Sequence, residues 1–163
     1  MVIIMKNTII IHLNKKEDYK NKYNENILSY ELCTYILEEI KSADINQNIK
    51  FLITTNFNMT DVEKNNFVDM LRNNFGADIG EIMNISRKQN ISNTLILIIG
   101  LIFFGIYSLL NNSLISEFLL ILGWVFLGEA ICNFLYSGIE NKYRINRRKQ
   151  IVDAKVIFEN IKK

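Results

Sequence analysis

The sequence has few of the residues that form disulfide bonds and catalytic sites. Its 163 residues include no proline, two cysteines and a single histidine, namely Cys33, Cys132 and His12. A disulfide framework needs more cysteines, so we interpret both thiols as small buried hydrophobic groups. No set of His, Cys and carboxylate residues has the spacing of metal ligands, and a lone histidine in a strand is more typical of a packed or surface residue. The sequence therefore predicts no metal and no cofactor.

A glycine-rich turn is also missing after both strand-like segments. Leu13-Asn14-Lys15 follows the first and Thr54-Thr55-Asn56 ends the second, where a phosphate loop would need glycines. Thr54-Thr55-Asn56 still lies between a strand end and a predicted helix, the place where α/β domains bind ligands. A ligand site at these residues is therefore kept as a weaker hypothesis. No paired acid and base and no activated nucleophile occurs, so we predict that the protein is not an enzyme. An apolar start, residues 1–5, has no cleavage site after it and is not predicted to be a signal peptide.

Charge is distributed unevenly along the chain. Residues 1–93 carry 11 Lys or Arg and 12 Asp or Glu, whereas residues 94–136 carry only Glu117 and Glu129. Residues 137–163 carry 8 Lys or Arg and 3 Asp or Glu, a net charge of +5. This tail follows an apolar stretch, which indicates contact with anionic lipid head groups. The N-terminal part is not basic and no recognised motif accompanies the tail, so no nucleic-acid partner is predicted.

The N-terminal part, residues 1–88, predicts a small cytosolic β-α-β-α domain. The β-branched run Thr8–Leu13 fits a strand covered on both faces of a parallel sheet. Apolar residues recur every four positions over residues 26–42, which is typical of an amphipathic helix. A second strand is predicted over Ile49–Thr54. Thr60 and Glu63 have the spacing of a capping box, and the helix that they open is expected to end at Gly76.

Two strands make a thin sheet, so a third is expected. One candidate is Ala77–Ile85, and another is Ala154–Phe158 in the tail. We favour a helix through Glu140–Ile151 followed by the second candidate strand, which would then return to the sheet. A single long helix through residues 138–163 remains an alternative.

Residues 89–137 predict a transmembrane hairpin, so the fold class is α+β with a membrane part. The predicted spans cover about residues 91–110 and 114–136, and a helix of 20 residues spans about 30 Å, the thickness of the hydrocarbon core of a bilayer. Only three residues, 111–113, separate the spans, so they are expected to be antiparallel neighbours. A core helix of a soluble bundle would need a polar face, which the first span lacks.

The distribution of positive charge predicts the orientation, because cytoplasmic flanks of membrane spans are enriched in Lys and Arg. The short turn between the spans has neither residue, so we expect it outside, with both termini cytoplasmic, in the cell membrane. The residues expected to set this orientation and to contact lipid head groups flank the two spans: Arg87, Lys88, Lys142, Arg144, Arg147, Arg148 and Lys149.

Glu129 is the most unusual side chain, because a charge near the middle of a span costs at least ~3 kcal/mol. Asn133 lies one turn later on the same face and is a candidate hydrogen-bond partner. Three interpretations stay open: a carboxyl group satisfied within the chain, a contact between subunits, or an ion path. Small residues that permit close helix packing recur at a spacing of five in each span, namely Gly100 and Gly105, then Gly123 and Gly128.

The second span, with Gly123-Trp124-Val125 near its start and basic residues after it, resembles a loose group of small bacterial membrane proteins of unknown function. The resemblance covers roughly residues 95–150 and implies a cytosolic N-terminal domain followed by a helical hairpin. It implies no activity. A composition rich in Ile, Asn and Lys and free of proline also suggests an AT-rich bacterial genome.

From these features we predict a non-enzymatic, membrane-anchored binding or interaction module. Its expected partners are membrane lipids and either further copies of itself or another membrane protein, with self-association through the hairpin. The alternative is an oligomeric pore-forming or transport subunit with Glu129 in the path.

Overall fold

The computed structural model describes residues 7–110 and 114–160 of the chain. Its elements are, in chain order, β1 (Thr8–Leu13), α1 (Tyr30–Glu39), β2 (Lys50–Thr55), α2 (Asp61–Leu109), α3 (Leu114–Val152) and β3 (Lys155–Asn160). The predicted turn at residues 111–113 and the apolar start lie outside the described residues. The chain divides into two compact units, here called the sheet unit (residues 1–80 and 145–163) and the helix-pair unit (residues 81–144). The tail therefore belongs with the N-terminal part, and both long helices contribute to both units.

The three strands form one parallel sheet in the order β1-β2-β3. Ile10 pairs with Leu52, and Leu52 pairs in turn with Ile157 of β3. The strand predicted at residues 154–158 is thus confirmed, and the single-helix tail is wrong. Ala77–Ile85, the other candidate, is helical within α2.

One face of the sheet carries the core. Ile11 and Ile53 of the strands pack with Ile36 of α1, Phe67 of α2 and Ile151 of α3 in a single buried cluster. The strand order follows the chain order, so right-handed crossovers place both connections on the same face. The other face is open, since alternate strand residues are exposed. The prediction that β1 is covered on both faces is therefore wrong.

The capping box is present at the start of α2. Thr60 accepts a hydrogen bond from the Glu63 amide at 3.3 Å, and the Glu63 carboxylate accepts one from the Thr60 amide at 2.9 Å. The helix does not end at Gly76, however, and continues to Leu109. A glycine ends a helix when it adopts a positive φ, whereas in mid-helix it costs only about 1 kcal/mol. No helix breaker follows Gly76, so the helix passes through it.

α1 is shorter than predicted, beginning at Tyr30 instead of residue 26. The hydroxyl group of Ser29 accepts from the Leu32 amide at 3.3 Å and donates to the Asp18 carbonyl at 2.9 Å. Ser29 thereby fixes the helix start and ties it to the preceding loop. Leu28, just before it, is fully buried.

The helix-pair unit consists of antiparallel stretches of α2 and α3. Phe103 stacks on Phe126 with their ring centroids 5.6 Å apart. Further along α3, the Asn141 amide donates to the Gln89 side chain at 3.1 Å. Contacts therefore run backward along α2 as they run forward along α3, which confirms that the two predicted spans are antiparallel neighbours.

Candidate functional site: the exposed helix pair and its polar residues

The apolar stretches of α2 and α3 are exposed to the surroundings of the protein. Only 11% of each is buried within the protein, and both helices are long and apolar enough to cross a membrane. Leu95 and Ile102 of α2 are more than half exposed, as are Ile121 and Leu135 of α3. A core helix of a soluble protein buries such side chains, whereas a helix in lipid exposes them to the acyl chains. The two helices are therefore candidate membrane spans.

The glycines separate into two classes. A Cβ atom at Gly100 would lie 3.1 Å from the Leu127 backbone nitrogen, and one at Gly123 would lie 3.0 Å from the Phe104 ring. These two glycines thus allow close approach of the helices within the chain. Gly105 and Gly128 have open space where a Cβ would be. The predicted packing role is therefore met within the chain by one glycine of each helix.

Glu129 lies on the exposed side of the helix pair. It is followed by Ala130, which is completely buried, while Gly128 and Cys132 are exposed. Within residues 7–110 and 114–160, the Glu129 carboxylate has no hydrogen bond to Asn133 or to any other side chain. The predicted Glu129–Asn133 contact is therefore not formed; Asn133 is half-buried, whereas Glu129 is exposed.

Polar residues that the sequence analysis missed are buried between the helices. Asn93 is 6% exposed and Asn141 is 7% exposed, and the latter is bound to Gln89. Gln89 and Asn93 are one helical turn apart, so both lie on the face of α2 toward α3. The sequence feature that could have indicated this polar face is the spacing of four residues between Gln89 and Asn93, just before the apolar run of α2.

The basic residues that were predicted to contact lipid head groups differ in their exposure and in their partners. Arg87, Lys88, Lys142 and Lys149 are exposed. Arg148 is bound to the carboxylate of Asp78 at 3.1 Å, with its side chain 14% exposed.

Arg147 is buried, and its guanidinium donates to the Ala43 carbonyl at 2.8 Å and to the Gln150 side chain at 3.2 Å. The lipid-facing role predicted for this residue is corrected here, because its charge lies inside the sheet unit.

Gln150 completes this contact. Its side-chain amide donates to the carbonyls of Asp44 at 2.7 Å and of Gln47 at 2.6 Å. Together Arg147 and Gln150 donate to three carbonyls of the loop before β2, and among these residues Ala43 is buried, so its carbonyl needs a donor from the protein. This polar latch, defined as Arg147 with Gln150, ties α3 to that loop.

The carboxyl ends of the strands carry polar residues bound to one another. The His12 Nδ1 atom contacts the Thr54 hydroxyl, and Asn56 donates to Asn14 at 2.7 Å. On its other side Thr54 pairs with Glu159 of β3. The Thr54 hydroxyl therefore lies between the His12 imidazole and the strand that carries the Glu159 carboxylate. A catalytic triad needs the imidazole in the middle, which this order does not provide.

The α2 N-terminus is occupied by the chain itself. Lys16 forms an ion pair with Glu63, whose carboxylate also caps the helix. Lys16 and the Thr60 amide together lower the pKa of Glu63 to about 2. The first turn thus already holds an anion, which argues against the ligand hypothesis at residues 54–56.

Comparison with known proteins adds no relative. No protein-family model, no curated protein and no solved structure matches this chain.

Proposed function

We propose that the chain is a non-enzymatic, membrane-anchored interaction module that self-associates through its helix pair, with both termini in the cytoplasm. The observation that carries the proposal is the position of Glu129, which is exposed in the middle of a candidate span. A carboxyl group facing acyl chains alone costs at least ~3 kcal/mol. A second copy packed on this side would supply hydrogen-bonding groups and exclude lipid.

The surroundings of Glu129 suit such a contact. Gly128 precedes it and faces open space, and the small Cys132 lies one turn later on the exposed side. Small exposed residues let a second helix come close enough for side chains to reach across. Gly100 and Gly123, in contrast, already pack against the neighbouring helix within the chain.

Cys132 offers a direct test in native membranes. With Cys33→Ser removing the other thiol, copper-phenanthroline oxidation should join two chains through Cys132, because helices in close contact bring thiols within disulfide reach. The matched control carries Cys132→Ser and Ile131→Cys. Ile131 is 53% exposed but lies about 160° around the helix from Glu129, so little product is expected.

The role of the carboxyl group is tested by Glu129→Leu. This change should lower the fraction of crosslinked chains several-fold, whereas Glu117→Leu, an exposed carboxyl in the first turn of α3, should leave it unchanged. A chain that stays monomeric in lipid nanodiscs and gives no Cys132 product would overturn self-association through the helix pair.

The same position of Glu129 favours one second candidate, an oligomeric pore or transport subunit. Two helices cannot enclose a path, so the carboxyl group would line it only between copies. Ion flux into liposomes that differs between the wild-type chain and Glu129→Gln would support this candidate, and equal or absent flux would remove it.

A further inference from the structure

The side of α3 that faces away from α2 carries a regular repeat of side chains. Successive members of the repeat are separated by alternating steps of four and three residues, which keeps them on one side of a helix. Ala130, on the side packed against α2, is fully buried, whereas Tyr136 of the repeat is 77% exposed. The repeat is here called the outer stripe, and its members are Phe118, Leu122, Val125, Glu129, Cys132, Tyr136, Ile139 and Tyr143.

The outer stripe continues past the end of the candidate span. Ile139 and Tyr143 lie roughly 5 and 10 Å beyond the predicted end of the second span along the helix. Because Asn141 binds Gln89 of the antiparallel α2, Tyr143 is about level with Arg87, a charged residue that belongs outside the hydrocarbon core. Ile139 is nevertheless 70% exposed and Tyr143 is 44% exposed. Acyl chains therefore do not account for the exposure of this end of the stripe.

Charged residues border this end of the outer stripe. Glu140 lies on one side of Ile139 and Tyr143 around the helix and Lys142 lies on the other, and both are exposed. An apolar centre between charged residues is the arrangement of a protein interface, with its dry core and polar rim. Apolar surface that is exposed outside lipid commonly marks a contact with another protein.

We infer that a second copy of this chain covers the outer stripe, with the two α3 helices parallel and in register, so that their contact begins in the membrane and continues outside the lipid. Alternating steps of four and three over eight positions are the pattern by which parallel helices pack into a left-handed coiled coil. A two-fold axis perpendicular to the membrane keeps both copies anchored in one bilayer. Each stripe residue then faces its own equivalent, as a symmetric dimer requires.

The position of the stripe in the membrane favours a second copy over another partner. A partner must present a matching stripe that crosses the same depth of the bilayer and continues past its surface. A second copy meets this condition because the same span anchors it. Glu129 is the only carboxylate in the stripe, and a single polar residue within such a repeat fixes the register of the two helices.

The area of the stripe suits a stable contact. The exposed parts of its five large residues, Phe118, Val125, Tyr136, Ile139 and Tyr143, amount to on the order of 550 Å² per copy, taking about 200 Å² for a whole aromatic side chain. The other three members add to this area, which approaches the roughly 800 Å² that each partner buries in a standard interface. Anchoring in one membrane also raises the effective concentration of the second copy. The inference rests on the proposed function for this anchoring and adds a contact outside the lipid.

Disulfide formation outside the lipid tests the contact. In the full chain with Cys33→Ser and Cys132→Ser, Ile139→Cys should give disulfide-linked dimers when isolated membranes are oxidised with copper-phenanthroline, because the two thiols face each other. The matched control is Gly138→Cys, which has open space around it and points about 100° away around the helix. It should react with a monofunctional maleimide as readily as Ile139→Cys but give about five-fold less dimer.

Opposite charges at position 139 test the parallel register. In chains whose only thiol comes from Tyr136→Cys, Ile139→Asp and Ile139→Lys should each lower the disulfide yield about five-fold, because like charges would face each other across the stripe. Membranes that contain both variants, with tags of different size, should recover dimers made of one chain of each. A mixed dimer that stays as rare as the two like-charged dimers would overturn the in-register arrangement.

The contact outside the lipid and the contact at Cys132 can fail separately. A Cys132 disulfide in the parent chain without an Ile139→Cys dimer overturns this inference and leaves the proposed self-association standing. An Ile139→Cys dimer without a Cys132 disulfide removes the contact within the lipid, while the contact outside it stands. Equal dimer yields from Ile139→Cys and Gly138→Cys would reflect random collisions and would also overturn the inference.

Discussion

The guanidinium of Arg147 donates a 2.8 Å hydrogen bond to the carbonyl of Ala43, which lies 104 positions earlier in the chain. Both residues are buried. This bond joins the end of the last long helix to the loop before the central strand of the sheet. The sheet unit is therefore built from both ends of the chain, with the helix-pair unit inserted between them.

Removing the polar latch should destabilise the sheet unit. Arg147→Ala leaves the Ala43 carbonyl buried without its donor, and we expect the free energy of unfolding to fall by about 2 kcal/mol. Lys149→Ala, two positions later and exposed, is the control and should change it by less than about 0.5 kcal/mol.

The reactivity of the Cys33 thiol with maleimide measures this unfolding. Cys33 is a half-buried thiol of the sheet unit, and burial raises its pKa to about 11, so it reacts slowly with maleimide in the folded chain. In a Cys132→Ser background, the urea concentration at which Cys33 becomes reactive should be lower for Arg147→Ala. Equal midpoints for Arg147→Ala and the parent chain would show that the latch adds no stability.

The two classes of glycine predict opposite responses to a large side chain. Gly100→Leu would push a side chain into Leu127 and should separate the helices, whereas Gly105→Leu enters open space and should be tolerated within the chain. Excimer fluorescence between pyrenes on cysteines at Phe103 and Phe126, whose rings stack, measures the separation, with Cys33 and Cys132 replaced by serine. Excimer signal should fall for Gly100→Leu alone, and an equal fall for both variants would contradict the assignment.

The ion pair of Glu63 makes the sheet unit sensitive to acid. Lys16 and the Thr60 amide lower the pKa of Glu63 from 4.5 to about 2, so the contribution of the ionised carboxylate to stability is present above about pH 4.5 and is lost as the pH falls through about 2. Glu63→Gln keeps a capping-box side chain but removes the charge. We expect the variant to unfold at a lower temperature than the wild-type chain at pH 7, and we expect this difference to become much smaller near pH 2.

Thermal unfolding followed by near-ultraviolet circular dichroism of the tyrosines measures this difference. Glu17→Gln is the control, because Glu17 is exposed and has no ion pair among the described residues. A difference between wild type and Glu63→Gln that persists unchanged at pH 2 would exclude the ionised carboxylate as its cause.

The proposed orientation is tested by thiol labelling of intact cells. A cysteine introduced by Asn112→Cys, between the two spans, should react with a reagent that cannot cross the bilayer. Lys22→Cys, exposed in the sheet unit, should react only after the membrane is broken. The opposite pattern would mean that the termini are outside, and recovery of the chain without detergent in the soluble fraction would exclude the membrane altogether.

Local sequence patterns determined the elements of this protein. The apolar runs marked the helix pair, the three-residue gap required antiparallel neighbours, and Thr60 with Glu63 marked the start of α2. Strand-like runs near both termini were recognised for the same reason. Each of these signals depends on residues within a few positions of one another, so it can be read before the chain is folded.

The tertiary structure decided which surfaces those elements cover. Whether Gly76 ends a helix depends on its backbone conformation, and whether Arg147 meets lipid or a carbonyl depends on a loop far away in the chain. The same holds for Gly100 and Gly105, which have identical side chains and differ only in what lies opposite. Because burial is set by contacts between distant segments, the open sheet face and the exposed position of Glu129 could not be predicted from the order of residues alone.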